Sequence, residues 1–282
     1  MNKNLSLGNI LGILILLGII IGILTPIIAF KYRGSKTYTS PLEWLLKLPF
    51  INISKKLVEK YSFSVDEGLN VVVYVSGGIE ITEGIDKKVQ VKVYEYTGIP
   101  SWIMGLEKTY NIYYNKTINT LYIDVKGYLI ELKLPSNIVH SITLNIKGGG
   151  VEIDTSLKNL KEFYAKISGG ALKFKFSNLA KSKININISG GALDGELDYT
   201  MFKGESYLFL SVSGGVIDLD VRQPRSIKVM VEGNVSGGIA SISIGGSHIG
   251  NFFKDEGYDV AEGKLHVVYR ISGGVIDLGI YR

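Results

Sequence analysis

A pair of glycines set between alternating apolar residues recurs along this chain and limits its possible folds more than any other feature. The octapeptide VSGGVIDL at 212–219 returns almost unchanged as ISGGVIDL at 271–278. Counted from Lys147, successive units start 21, 21, 24, 23 and 36 residues apart, a spacing typical of stacked supersecondary units. The sequence therefore predicts an all-β repeat protein. The glycine pairs follow Ser76, Lys147, Ser168, Ser189, Ser213, Ser236 and Ser272.

At most of these glycine pairs, the alternation of apolar and polar residues shifts by one position. Ile184, Ile186 and Ile188 alternate before one pair, which places them on one face of a strand. After a pair, as at Ile217 and Leu219, the alternation is shifted by one residue. Glycine suits such a bend because it lacks Cβ and accepts positive φ. The first pair, after Ser76, shows no shift and is interpreted as an atypical terminal unit.

Two all-β architectures satisfy this pattern. In a β-solenoid, or β-helix-like fold, the glycine pairs stack as a corner column and strands of successive units pair in parallel. In a meander, each pair is the two-residue turn of a hairpin, and Val212 would face Ile217. The solenoid is preferred, because near-identical phrases are expected when one position recurs in a column.

Three segments are predicted along the chain. Residues 1–30 are predicted to form a membrane anchor, because the run from Leu5 to Phe30 contains no charged residue. This run is long enough for a transmembrane helix, which needs about 20 apolar residues. Residues 31–60 form a basic juxtamembrane segment with a short helix that begins near Ser40-Pro41. That helix either lies on the bilayer or caps the open end of the stack. Residues 61–282 form the β-repeat domain.

Localisation is predicted as a single-pass membrane protein with the β domain outside the cytoplasm. The positive charges that flank the anchor, Lys3 on one side and Lys31, Arg33 and Lys36 on the other, slightly favour the opposite orientation. Long domains translocate largely regardless of such charges. The chain has no cysteine, so it uses neither disulfides nor thiol chemistry. Sequons that permit glycosylation outside the cell stand at Asn52, Asn115, Asn187 and Asn234.

The positive charge belongs to the membrane end of the chain. The net charge is +5, of which residues 1–60 contribute +6, from eight Lys or Arg and two Glu, and the remainder −1. This distribution fits attraction to anionic lipid head groups. It gives no reason to expect nucleic acid, whose binding needs a basic face on the folded domain, so the expected partners are the membrane and a protein, a polysaccharide or a second copy of the chain.

Two outward rows of side chains are predicted if the units stack. Carboxylates of the first row, at Asp194 and Asp218, could bind calcium or a sugar, but Lys173 and Ser241 interrupt it and a solvated face is the preferred interpretation. The first row holds Glu152, Lys173, Asp194, Asp218, Ser241 and Asp277. The second holds Asn145, Lys166, Asn187, Ser211, Asn234 and Arg270.

Two further segments are candidate contact sites. The stretch 98–105, GIPSWIMG, has a large apolar tip that either contacts a membrane or partner or folds back onto the sheet. The insertion at 245–257 accounts for the interval of 36 and is interpreted as a tolerated surface loop, with a binding role as the alternative.

No catalytic, cofactor or metal residue is predicted. His140, His248 and His266 have neither metal-binding nor triad-like spacing and are interpreted as ordinary surface residues. A carbohydrate-active enzyme would need a carboxylate cluster in a cleft, which one interrupted row does not supply.

The segment 128–135, YLIELKLP, followed by 142–153, ITLNIKGGGVEI, and then by the Ser-Gly-Gly units, resembles the putative-adhesin β-strand-repeat family, the DUF4097 type. The resemblance covers roughly residues 61–282. It implies a β-helix-like domain beside a membrane segment, with an adhesin-like or envelope-associated role and no catalytic residues. The doubled glycine departs from the Gly-Asp common in that family. The predicted function is a non-enzymatic surface protein, adhesin-like or envelope-structural, and the alternative is a membrane-tethered sensor or scaffold of an envelope-stress signalling system.

Overall fold

The computed structural model describes residues 54–84, 87–97 and 108–282. These residues form β-strands and one 3-10 turn at Tyr258–Val260, which confirms the all-β class. Within them no helix has the length and apolar character needed to cross a membrane. The predicted anchor at 1–30, the short juxtamembrane helix and the apolar tip at 98–105 lie outside the described residues. The domain boundaries predicted above therefore stay predictions, although the first strand already starts at Ser54.

The strands vary from two residues to eighteen, and the longest ones pass through a glycine corner without interruption. In chain order they are β1 (Ser54–Ser64), β2 (Leu69–Gly84), β3 (Lys88–Thr97), β4 (Thr109–Asn115), β5 (Thr120–Pro135), β6 (Val139–Ser156), β7 (Glu162–Ile167), β8 (Ala171–Leu179), β9 (Lys183–Ile188), β10 (Ala192–Tyr199), β11 (Gly204–Val212), β12 (Val216–Arg222), β13 (Ile227–Val235), β14 (Ile239–Ile244), β15 (Ser247–His248), β16 (Phe252–Lys254), β17 (Gly263–Ile271) and β18 (Val275–Tyr281).

The strands on the two sides of a glycine pair belong to different parallel ladders. One ladder, here called the pre-glycine face, contains β7, β9, β11, β17 and β13 and continues through the first parts of β6, β2 and β5 to the antiparallel β4. The other, the post-glycine face, contains β8, β10, β12, β18 and β14 and continues through the second parts of β6, β2 and β5. Val212 pairs with Ile188 and with Ile271, not with Ile217. The hairpin meander is therefore wrong for these units, because equivalent strands of different units pair with one another.

A left-handed glycine makes each corner and shifts the parity. Gly191, the second glycine of its pair, has φ 102°, and a Cβ on it would lie 2.3 Å from the carbonyl oxygen of Gly170 in the unit below. The column therefore needs glycine for its conformation and for the close approach of backbones. In β2, Gly77 and Gly78 do not have positive φ. At this corner the neighbouring strands β5 and β6 each have one residue more than β2. The alternation of inward and outward residues in β2 therefore continues unshifted through the glycine pair, as predicted.

The stacking order departs from the chain order at both ends. At the C-terminal end, the last unit lies one place inward: β17 sits between β11 and β13, and β18 between β12 and β14. At the N-terminal end, β2 lies between β5 and β6. The last unit buries a complete apolar row, whereas the unit β13–β14 has Gly233 opposite Tyr269 and Ala240 opposite Ile276 at inward positions. An end position suits the less apolar unit, because only one of its sides is covered.

The insertion at 245–257 covers the outer edge of this end unit. Strand β15 pairs antiparallel with β14, and β16 with β13. The buried carboxylate of Asp255 accepts a hydrogen bond from the backbone N–H of Val229 at 2.7 Å and one from Arg282. The prediction of a merely tolerated loop was therefore incomplete, because the insertion pairs an otherwise open sheet edge.

Large and small inward side chains alternate between neighbouring units to fill the interior. Phe174 packs against the rings of Phe163 and Phe176, with ring centroids 5.6 and 4.8 Å away. Gly195 pairs with Phe174 in register, and a Cβ there would lie 2.6 Å from the ring. The glycine thus leaves the space that the phenylalanine occupies.

Candidate functional site

The first predicted row exists on the post-glycine face, with one change of order. Asp194 pairs with Lys173 on one side and Asp218 on the other. Because the last unit lies inward, Asp218 pairs next with Asp277, and Ser241 comes last. Three aspartates therefore follow one another at the strand spacing of about 4.8 Å.

Neighbouring cations and hydrogen bonds balance part of this negative charge. Burial raises the pKa of Asp194, with Glu196 and Asp220 adding to the rise and Lys173 opposing it. In the adjacent row burial would raise the pKa of Glu196, but hydrogen bonds from Arg222 and Lys175 outweigh it and hold the pKa below its usual value. Across the part of the chain that the structure describes, no three His, Cys, Asp or Glu side chains are placed to hold a metal ion.

The second predicted row lies on the pre-glycine face and shows the same exchange. Asn145 pairs with Lys166, and Arg270 stands between Ser211 and Asn234. The side-chain amide of Asn187 donates to Asn185 Oδ1 at 2.8 Å. This row is polar and outward, as predicted.

An aromatic row that the sequence reasoning missed runs beside it. Tyr113 stacks on Tyr122 with ring centroids 4.8 Å apart, and Phe209 stacks on Tyr207 at 5.8 Å. The signal was present in the sequence as aromatic residues at outward positions of β4, β5, β7 and β11. Across nine strands, named here as the aromatic row, the register gives Tyr113, Tyr122, Val72, Thr143, Tyr164, Asn185, Phe209, Val268 and Glu232.

Of the three histidines, His266 is not an ordinary surface residue. Its side chain is 18% exposed and lies between two carboxylates, 3.4 Å from Glu232 and 4.0 Å from Glu205. Glu205 accepts hydrogen bonds from Tyr207 at 2.6 Å and Tyr258 at 2.9 Å. These bonds lower the pKa of Glu205. His140 and His248 are exposed, as predicted.

A cleft of about 410 Å³ opens where four post-glycine strands end. It is lined by the ends of β8, β10, β12 and β18, among them Asn178, Asp198, Arg222 and Tyr281. Gln223 also lines it, with 5% of its surface exposed. Within the described residues, neither Oε1 nor Nε2 of Gln223 has a hydrogen-bond partner. The sequence held a signal for this site, since Gln223 takes an inward position two residues after the buried Val221.

Comparisons with known proteins add structural resemblance at low identity. No family model and no curated protein matches the chain. Among solved structures, it resembles a putative cell adhesion protein from Clostridium sporogenes, at 14% identity and TM-score 0.42, over 80% of this chain and 100% of that one. It also resembles a putative adhesin from Bacteroides fragilis, at 18% identity and TM-score 0.41, over 79% and 97%. A putative lipid binding protein from Parabacteroides distasonis matches at 14% identity and TM-score 0.29, over 79% and 96%.

Proposed function

We propose that this chain is a membrane-anchored, non-enzymatic surface protein whose β-repeat domain, a β-solenoid, acts by adhesive binding. The observation that carries the proposal is the aromatic row on the pre-glycine face. Among its nine positions it places four aromatic rings, at Tyr113, Tyr122, Tyr164 and Phe209, with Thr143 and Asn185 between them; the other three are Val72, Val268 and Glu232. A repeated, rigid surface of this kind suits a polymer, a broad protein surface or a second copy of the chain.

The side chains of the row have the chemistry of a binding surface. The Tyr113 side chain is 48% exposed, and Tyr164 and Phe209 are half-buried. Aromatic rings give large contact areas at low entropic cost, and tyrosine adds a hydroxyl for hydrogen bonding. Between the rings, Thr143 and Asn185 supply a hydroxyl and an amide. The row therefore offers apolar contact and hydrogen bonds in one line.

The charge pattern and the N-terminal segment support the location. Residues 61–282 carry a net charge of −1, and the excess positive charge lies in residues 1–60 beside the apolar run. An apolar run of this length is favoured in a bilayer, with the basic residues near the lipid head groups. The β domain would then be held at the cell surface.

Bead capture by the full chain tests the adhesive role. Beads coated with the chain in detergent are mixed with insoluble chitin, with cellulose, with a collagen-coated surface and with one another. The triple variant Tyr113→Ser, Tyr164→Ser, Phe209→Ser should lose at least tenfold in capture on the surface that native beads bind. The matched triple on the other face, Glu152→Ser, Lys173→Ser, Asp218→Ser, should keep it. Equal capture by both triples would refute the assignment of the aromatic row.

Protease accessibility tests the location. The β domain should be digested in intact cells as completely as in lysed cells. Protection until lysis would place it inside, and the search would turn to the sensor or scaffold alternative.

A further inference from the structure

We infer that the pre-glycine face of one copy of this chain docks on the post-glycine face of a second copy. The contact uses the aromatic row, so the inference rests on the proposed adhesive function and names its partner. It goes beyond that function because it gives the post-glycine face a binding role. The two can fail separately, since capture of a polymer or of collagen needs the aromatic row alone.

The post-glycine face has an outward apolar row of its own, here called the small apolar row. It lies beside the glycine corner, two residues before the first row. Ala171, Ala192 and Ile239 are exposed there, and Val216 and Val275 are half-exposed. Exposed apolar side chains in a continuous line are typical of a contact surface. Across seven strands the register gives Gly78, Gly150, Ala171, Ala192, Val216, Val275 and Ile239.

The first and second rows differ in charge. From β2 to β18, the first row holds five carboxylates and one lysine, at Glu80, Glu152, Lys173, Asp194, Asp218 and Asp277. From β6 to β13, the six positions of the second row hold two cations, three amides and a serine, at Asn145, Lys166, Asn187, Ser211, Arg270 and Asn234. Opposite charges steer two surfaces together and fix their register.

The two faces have their rows at the same separation. On the pre-glycine face the second row follows the aromatic row by two residues, as Lys166 follows Tyr164. On the post-glycine face the first row follows the small apolar row by two residues, as Asp194 follows Ala192. Two residues of a strand span about 6.6 Å, and neighbouring strands lie about 4.8 Å apart on both faces. When the strands of two facing sheets run in the same direction, both pairs of rows therefore meet at once.

One register pairs unlike side chains. Two outward faces that look at each other with parallel strands have stacks that run in opposite directions. If β7 of one copy lies on β10 of the other, Lys166 meets Asp194 in the charged rows. In the apolar rows, the ring of Tyr164 meets the methyl group of Ala192. A large side chain thus lies on a small one beside an ion pair.

The same register continues along the stack in both directions from this pair. Two strands further on, β11 lies on β6, and the ring of Phe209 covers Gly150. One strand beyond, β17 lies on β2, and Arg270 meets Glu80. The lysine of the first row, on β8, meets the amide of Asn187 and not a cation. From β17 to β6 of the pre-glycine face, no like charges of these described rows face each other.

The size of this contact indicates how it is used. Eight strands by two rows measure about 38 by 13 Å, or roughly 500 Å² on each copy. A standard stable interface buries about 800 Å² per partner, so a single contact of this size is weak. Many copies on one surface strengthen it, because each contact raises the effective concentration for the next. The contact therefore suits adhesion between two surfaces that both carry the chain.

Clustering of beads in two colours tests the contact. Beads are coated with the full chain in detergent, and native beads should cluster with one another. The triple variant Asp194→Lys, Asp218→Lys, Asp277→Lys should cluster with itself at least tenfold less, and so should the double variant Lys166→Glu, Arg270→Glu, because each sets like charges against each other. A mixture of the two variants should cluster as native beads do, since opposite charges then face each other again.

Two results of this charge exchange would overturn the inference. The first is a mixture that clusters no better than either variant alone. The second is native-level clustering by the Lys166→Glu, Arg270→Glu variant, which is expected if two acidic faces are bridged by a divalent cation. Circular dichroism checks the fold of each variant beforehand. If the lysine triple does not fold, Asp194→Asn, Asp218→Asn, Asp277→Asn takes its place and should cluster at least threefold less than native; unchanged clustering would equally overturn the inference.

A variant of the small apolar row separates this inference from the proposed function. Val216→Ser, Val275→Ser, Ile239→Ser should lower clustering between beads at least fivefold and leave capture on chitin, cellulose or collagen unchanged. Unchanged clustering would overturn the docking of the two faces. Native beads that capture one of those surfaces but do not cluster would overturn it as well, and would leave the adhesive function standing.

Discussion

The middle of the stack and its two ends follow different rules. From β7 to β12, units stack in the order in which they occur along the chain. At each end, one unit has moved inward past its neighbour. All units share the glycine corner, so the corner alone does not decide the order. At the C-terminal end the difference follows apolar content, since the less apolar unit, β13–β14, lies outermost.

The largest effect is expected from a charge in the inward row that crosses both regions. Ile188, in the middle, and Val235, in the end unit, belong to the same row, joined through Val212 and Ile271. Ile188→Asp should lower the free energy of unfolding by more than about 4 kcal/mol, because it buries an unpaired charge between two units. Denaturant titration followed by circular dichroism measures the loss.

Val235→Asp is the matched variant at the end. Val235 is only half-buried, so the loss should be about 1–2 kcal/mol. Equal losses at the two positions would show that the end unit is as constrained as the middle, against the comparison drawn above.

The next largest effect concerns the tether of the end unit. Asp255→Ala should cost about 3 kcal/mol, since it leaves Arg282 and the Val229 N–H without their buried acceptor. Hydrogen exchange should rise in β13 and β16 and stay unchanged in β7 to β10. Protection lost evenly along the stack would show that the end is not an independent unit. Asp259→Ala is the control: Asp259 lies in the 3-10 turn just after the insertion and is exposed, so its loss should change exchange little.

A smaller effect is expected at a glycine corner in the middle. Gly191→Ala should cost about 2–3 kcal/mol, because alanine disfavours a φ of 102° and its Cβ meets a carbonyl oxygen. Gly148→Ala is the control, since a Cβ there meets nothing within 4 Å and its φ is not positive. Thermal melting compares the two, and similar Tm values would remove the stacked column as the reason for glycine.

The smallest effect is a pH dependence at the boundary between the two regions. Glu205, in β11, accepts hydrogen bonds from Tyr207 and from Tyr258, which lies in the 3-10 turn before β17. The Tyr207 hydroxyl is the main cause of the lowered pKa of Glu205. A lowered pKa in the folded state means that the stabilisation is present above the ordinary value of 4.5 and is lost as the pH falls below it. Glu205→Gln should therefore be less stable than the native chain at pH 7, and the difference should shrink as the pH falls.

Chemical denaturation at a series of pH values measures this difference. Glu152→Gln, on the exposed first row, is the matched control. A stability difference for Glu205→Gln that stays constant from pH 7 to pH 3 would contradict the assignment.

The inward rows and the corner glycines could be predicted because each depends on local sequence. Alternation identified the faces of Ile184, Ile186 and Ile188, all of which are buried. The neighbours of a unit could not be predicted in the same way. Asp277, for example, lies between Asp218 and Ser241 instead of at the end of its row. Local sequence does not predict this, because similar units can occupy the same position in the stack.

Side-chain contacts between neighbouring units could not be predicted from the local sequence pattern either. A glycine at an inward position gives no indication of what fills the space above it. Gly233 lies under the ring of Tyr269, whose hydroxyl donates to Asn251 Oδ1 at 3.1 Å. The cleft depends on four strand ends that come from distant parts of the chain, and only Gln223 carried a local signal for it.

The inward position of the last unit has a consequence for how this protein can be made. Strands β13 and β14 have no docking surface in the finished stack until residues 263–282 occupy the place beneath them. Strand β2 likewise pairs with β5 and β6, whose partner residues follow it by about 50 residues (Asn70 and Thr120) and 70 residues (Leu69 and Val139). Addition of units strictly in chain order, as the polypeptide leaves the ribosome, would therefore not give the observed order at either end. Contacts this distant in sequence slow folding, so the two ends close only after synthesis of the chain has passed beyond them.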